Sequence, residues 1–224
     1  MKPFIAEERD DVTLQNLGRA SVQIIHDIRN QLNGLKLYAT FLRKRMEKSE
    51  LPAEEQDTVA KLIAGLDRAG GDLSLLAQYG QPLALNFQPQ VDVQKLMRGV
   101  FSNLSNCGNG ELDCSPVLSA DSEPLLGEFD PAALADALQS ISFGAAKSCK
   151  AGDSLSINLS REQLGDRPTA VIEWESVHFE HGNPFRSFNG SEAIRMSLAA
   201  KIVEAQGGSA EQHGSVLRVR LPLT

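Results

Sequence analysis

Apolar residues recur at steps of three and four along the first third of the chain: Ile25, Ile28, Leu32, Leu35, Ala39, Leu42 and Met46, then Val59, Leu62, Leu66, Ala69, Leu73 and Leu76. This spacing lays an apolar seam along one helix face. The pattern predicts a helix over 21–46 and a second over 52–79, with Gly70 and Gly71 weakening the second slightly. Only the polar stretch EKSELPAE separates them, and two long helices on so short a connection fold back antiparallel. A lone hairpin leaves half of each seam in water. Two surfaces can cover it, a second copy of the hairpin or the chain's own second half; we expect the first, a homodimer closing a four-helix bundle.

The pattern changes after Tyr79. GQPLALNFQPQV, with prolines at 82 and 89, cannot continue a helix and serves as a connector. Helices are predicted over 93–106, over 131–149 with Asp130 as N-cap and Pro131 in the first turn, and over 191–206 before the stop at Gly207 and Gly208. SLSINLS and TAVIEWESV alternate like strands around the turn-rich REQLGDRP, and VLRVRLPLT closes the chain as another strand. CGNG at Cys107 is a turn rather than a phosphate loop, since no clear strand precedes it. The expected fold class is α+β: an antiparallel helical hairpin over 1–81 forming a dimeric four-helix bundle, then an α/β sandwich over 82–224.

Composition narrows the function. The 224 residues, 42% hydrophobic and 23% charged, suffice for a buried core. A net charge of -7 argues against gripping nucleic acid through a basic surface. Three cysteines, Cys107, Cys114 and Cys149, fit neither a disulfide framework nor a metal site, and point to reduced thiols in a cytoplasm. No apolar run resembles a signal peptide or a membrane span, so no membrane partner is expected.

The first helix carries a polar cluster, His26, Asp27, Arg29 and Asn30. At about 100° per residue, the seam centres about 150° away from His26, which therefore faces outward with Asn30, Asn33, Leu37 and Lys44, and with Phe41 a little to one side. An imidazole in water offers a ring-nitrogen lone pair to an electrophile such as phosphorus near neutral pH. Asp27 can orient the ring, Asn30 can position a water or a phosphoryl oxygen, and Arg29 can hold phosphate oxygens. A solvated histidine beside ordinary helix polar residues satisfies the same spacing. Leu37 and Phe41, large apolar groups on the water-facing side, point to a surface kept for a partner; contact with the chain's second domain would explain them too. Arg43, Lys44 and Arg45 can complement an acidic partner, although cations suit the last turn of any helix.

HDIRNQLN resembles the phosphoacceptor box of sensor histidine kinases. The resemblance extends to the hairpin, the connector, and the closing AKIVEAQGGSAEQHGSVLRVRLPLT of their ATP-binding domain. It implies His26 as the phosphorylated residue, Asp27 as the acidic helper, and Asn30 in the place of the water-orienting phosphatase residue. Gln31 stands where many members have proline. In the second domain Ser140 and Gly144 take the places of the family's two asparagines, one of them a magnesium ligand. The Asp-x-Gly-x-Gly loop that receives adenine reads ESVHF, placing Glu175, Val177 and Phe179 at its marked positions, and the glycine-rich lid reads SEAIRM.

A retained phosphoacceptor helix beside a degraded nucleotide site resembles the dimeric histidine phosphotransferases of bacterial phosphorelays. That resemblance implies response regulator receiver domains as partners, docking near Leu37 and Phe41. It implies no cofactor bound by this chain, with magnesium arriving in the receiver's acidic pocket. Three alternatives stay open: a silent adaptor that sequesters a regulator or a kinase, a working histidine kinase, and a phosphatase acting through Asn30.

Overall fold

The computed structural model describes residues 4–47, 53–106, 114–120, 123–150, 152–165, 167–179 and 182–224. The turn expected at CGNG and most of the polar connection after Glu47 lie outside these residues. The chain divides into two compact units, Met1–Pro82 and Leu83–Thr224.

The first unit is a helical hairpin of α1 (Phe4–Glu47) and α2 (Ala53–Gly80). Glu54 and Glu55 in the first turn of α2 oppose the partial positive charge of its N-terminus. Ala39, Ile63 and Ala77 are the buried small and branched positions between the helices, and Lys36 pairs with Asp67 across them. α1 begins at Phe4 rather than Ser21, because the preceding FIAEERDDVTLQNLGRA is made largely of good helix formers and continues the helix without an apolar seam. A β-carbon added to Gly80 would lie 2.7 Å from Val22 Cγ2, so α2 ends beside the turn of α1 that precedes His26. Half the seam stays open within one hairpin: Ala39 is buried, but Ile28, Leu35 and Leu42 are 40%, 54% and 54% exposed.

The second unit places β1 (Gln88–Asp92) and α3 (Val93–Asn106) before β2 (Ser115–Ala120) and β3 (Leu126–Phe129). Then follow α4 (Pro131–Ser148), the hairpin β4 (Ser154–Leu164) and β5 (Arg167–Glu175), a 3-10 turn (Pro184–Arg186), α5 (Ser191–Ala205), β6 (Ser209–His213) and β7 (Val216–Pro222). Five strands pair in the order β2-β4-β5-β7-β6, with β2 parallel to β4 and the other pairs antiparallel; β1 and β3 form a separate two-stranded sheet. Alternation fixes the faces. Leu155, Ile157 and Leu159 of β4, Ala170, Ile172 and Trp174 of β5, and Leu217, Val219 and Leu221 of β7 join the core with the buried faces of α3, α4 and α5. This is a mixed sheet covered by helices, following a helical hairpin in chain order, as the sequence pattern led us to expect.

REQLGDRP, read as a turn, is mostly strand. Leu164 pairs with Arg167, leaving a two-residue connection in which Gly165 takes φ +61°, the conformation that tight hairpin turns require. Asp130 caps α4 by accepting from the backbone N–H groups of Ala132 and Ala133. Its second oxygen accepts from the Asn86 N–H at 2.8 Å, tying the connector to α4. Among the described residues no helix is long and apolar enough to cross a membrane.

Candidate functional site

The eight residues singled out on α1, His26, Asp27, Arg29, Asn30, Asn33, Leu37, Phe41 and Lys44, are all exposed. Helix geometry explains why they share the water. The Lys36–Asp67 pair and buried Ala39 mark the direction of α2, while Ile24, Ile28, Leu35 and Leu42 mark an exposed apolar stripe roughly a right angle away at about 100° per residue. His26, Asn30, Asn33, Leu37, Phe41 and Lys44 fan out on the side opposite both directions. α1 thus has one packed direction, toward α2, and one exposed apolar direction. The third direction is left for something else.

Among the described residues no hydrogen bond joins Asp27 to the His26 ring. Asp27 Oδ1 accepts a hydrogen bond from Gln23 Nε2 at 3.2 Å, one turn back. Adjacent residues on a helix diverge, whereas i and i+4 meet, so Gln23 is the natural partner. Among the described residues no hydrogen bond reaches the His26 ring. Both its nitrogens are therefore available to an incoming group. Leu37 and Phe41, 61% and 71% exposed, lie three to four turns toward the C-terminal end of the same face. Tyr38, equally exposed, sits between this face and the apolar stripe. The sequence reading passed over it, although the seven-residue rhythm of the stripe placed it beside Leu35 and Leu42.

In the second unit, two of the positions compared with histidine kinase nucleotide motifs, Gly144 and Met196, pack against each other. Gly144 is buried on α4, and a β-carbon there would lie 2.5 Å from Met196 Sδ. The thioether occupies the space that a side-chain ligand at position 144 would need. Ser142, two residues earlier, accepts a 3.0 Å hydrogen bond from Trp174 Nε1 inside the core. Trp174 has no exposed surface, and Met196 has none. SEAIRM forms the first turns of α5 instead of a glycine-rich loop.

Glu175 is turned to the outer face of the sheet, where its carboxylate accepts from Asn158 Nδ2 at 3.1 Å. Trp174 is the inward residue at that strand end. The left-handed backbone that glycine favours falls on Ser176, with φ +70°, and not on Val177. Val177 is buried and its N–H donates to Ser215 O at 3.1 Å. Strand alternation, which a one-residue shift reverses, was the signal that could have set this register.

What remains open nearby is a cavity of about 180 Å³ lined by Phe179, Pro184, Met196 and Glu192 among others. Glu192 in its wall is held by Lys147 at 2.8 Å. Among the described residues no group of three His, Cys, Asp or Glu side chains converges to hold a metal ion. Trp174 and Met196 inside, Glu175 outside and no oxygen ligand at position 144 do not fit a magnesium-bound nucleoside triphosphate.

No protein-family model matches the chain, and no curated protein matches it. Solved structures do. Full-length ShkA, crystallised in complex with AMPPNP, superposes with a TM-score of 0.65 at 18% identity, over 92% of this chain and 46% of that one. The chain thus spans about half the length of ShkA. The Acinetobacter baumannii histidine kinase AdeS superposes with a TM-score of 0.56 at 18% identity, over 87% of this chain and 96% of that one. At this identity the likeness establishes fold: a helical hairpin followed by the ATPase-like lobe of histidine kinases.

Proposed function

We propose that this chain is a histidine phosphotransfer protein of a two-component phosphorelay, acting as a homodimer on response regulator receiver domains. The observation that carries the reading is the contrast between an exposed, unpartnered His26 ring and a lobe whose nucleotide positions are filled by Trp174 and Met196. The ring supplies a nucleophile. The lobe supplies no phosphoryl donor.

In the proposed reaction a receiver's phospho-aspartate approaches the outward face of α1. The lone pair of an unprotonated His26 ring nitrogen attacks phosphorus as the P–O bond to the aspartate breaks, and the electrons of that bond leave with the carboxylate. The second ring nitrogen keeps its proton, so no separate base is required. Arg29 and Asn30 flank the ring from positions three and four residues on, where a guanidinium fork and an amide can steady phosphoryl oxygens. Leu37 and Phe41 give the receiver an apolar anchor. Magnesium belongs to the receiver's acidic pocket in this scheme. Transfer to a second receiver reverses the step.

The homodimer follows from the open stripe. Ile28, Leu35 and Leu42, with Leu62 on α2, repeat at helical spacing and stay exposed in one hairpin; fully burying each such side chain is worth about 1.5–3 kcal/mol. A second hairpin covers them without touching the outward face. Two readings compete: an adaptor that docks a regulator through Leu37 and Phe41 without chemistry, and a phosphatase that uses Asn30 to place water.

The experiment is phosphotransfer from a panel of phosphorylated receiver domains to the purified chain, with His26→Ala as control. A phosphotransferase takes label from at least one receiver and loses it in the variant. An adaptor binds a receiver equally well with and without His26 and never carries label.

A further inference from the structure

Where α5 hands over to β6, the starts of β5 and β6 and the end of β7 enclose a cavity of about 240 Å³. Arg167, Thr169, Ser209 and Arg220 line it, together with bare backbone at Gly207 and Gly208. The pairing of Ser209 with Arg220 and of Thr169 with Pro222 brings these three strands to one place. No carboxylate is among the lining residues.

Arg220 is the unusual member. Its Nη1 donates to Glu211 Oε2 at 2.8 Å, which fixes the plane of the guanidinium, while its Nε is buried and has no hydrogen-bond partner. Buried guanidinium N–H groups without an acceptor are rare, because the desolvation they suffer is not returned. Arg167 is exposed and makes no ion pair among the described residues. Two guanidinium groups and two hydroxyls therefore line a space that has no carboxylate in its wall, and Glu211 engages only the Nη1 edge of Arg220. The Glu211 carboxylate and the C-terminal end of α5, with a partial charge of about one half, both oppose an anion here, and the two guanidinium charges still exceed them.

We propose that this cavity is a binding site for a phosphate group, carried by inorganic phosphate or by a small phosphate ester. Guanidinium forks match phosphate oxygens two at a time, and hydroxyls serve the remaining lone pairs. The volume is several times the roughly 30 Å³ that a water molecule takes in the liquid, enough for the phosphate and a short organic stub. The site lies in the lobe, uses none of the residues assigned to phosphoryl transfer, and gives the lobe a ligand of its own.

Titration calorimetry on the full chain at constant ionic strength tests this. Inorganic phosphate and glycerol phosphate are titrated separately, with glycerol and sodium chloride as controls. Saturable binding of one phosphate group per chain is expected for at least one of the two. Saturation by the ester alone marks a metabolite site, and saturation by both marks a site that free phosphate fills. Arg167→Gln, at an exposed position, keeps the melting temperature of the free protein and weakens binding roughly tenfold, the loss of one charge-assisted contact. Arg220→Lys, which keeps the charge and removes the fork, also weakens it. His26→Ala binds as the parent does, so this result is independent of phosphotransfer. No saturation with either ligand, or affinity unchanged in both arginine variants, overturns the proposal.

Discussion

On the outward face of α1, Leu37 and Phe41 stand in water three to four turns from a histidine whose ring makes no hydrogen bond among the described residues; on the inward side of the lobe's sheet, Trp174 and Met196 are sealed into the core. Burying a leucine or a phenylalanine returns about 1.5–3 kcal/mol, and the hairpin forgoes that return twice on one face. The lobe takes it wherever it can. The hairpin leaves apolar groups exposed on the face that carries His26, whereas the lobe buries its large apolar side chains; on the proposed reading the first surface is kept for contact and the second is given up as a ligand site.

Several substitutions break or sharpen this contrast. His26→Ala has the largest effect, removing all phosphoryl acceptance from a competent receiver while the circular dichroism and melting temperature stay at parent values, because an exposed side chain is lost. Trp174→Ala does the reverse. It removes about 3–5 kcal/mol from the stability of the lobe, read by denaturant unfolding, and leaves labelling of His26 unchanged under conditions where the lobe stays folded. Restored ATP binding in that variant would show that the indole alone had closed the cleft.

Phe41→Ala weakens receiver binding by about 2 kcal/mol, as expected for an aromatic anchor, with no change in sedimentation. Leu35→Glu, on the stripe and off the outward face, halves the sedimenting mass and leaves the histidine chemistry in place. If the two substitutions exchange these effects, the assignment of faces on α1 is wrong.

The smallest effect concerns pH. The Asn86 N–H foremost, then the Ala133 and Ala132 N–H groups, stabilise the Asp130 carboxylate and hold its pKa below the ordinary aspartate range, against the opposing effect of burial. A carboxyl depressed in the folded state stabilises the fold above its unfolded pKa, and that contribution disappears as pH falls through the lower, folded value. Denaturant midpoints of the lobe should therefore fall on acidification below about pH 4, and Asp130→Asn should flatten that slope while leaving the hairpin's midpoint alone.

The hairpin was legible because a period of three and four residues over two dozen positions has one simple structural solution. His26's exposure followed from the same arithmetic. Gln23 as the partner of Asp27 was equally available at i and i+4, and was overlooked in favour of the sequence neighbour. The lobe was harder to read. β2 (SPVLSA) and β6 (SAEQH) are short edge strands with polar residues, and β1 pairs with β3 through Gln88 and Phe129, a long-range match that no local pattern encodes. The inward place of Trp174 depended on strand register, which local sequence leaves free by one residue and which pairing with β4 and β7 fixes. The start of α1 at Phe4 was hidden because helix propensity carries it without a seam.

The most direct measurement asks where a phosphoryl group on His26 comes from. The purified chain is incubated in one arm with radiolabelled ATP and magnesium and in the other with a radiolabelled phospho-receiver, and the site is read by mass spectrometry. Label on His26 from the receiver and none from ATP is the predicted result. Label arriving from ATP with no other protein present contradicts the account at its centre.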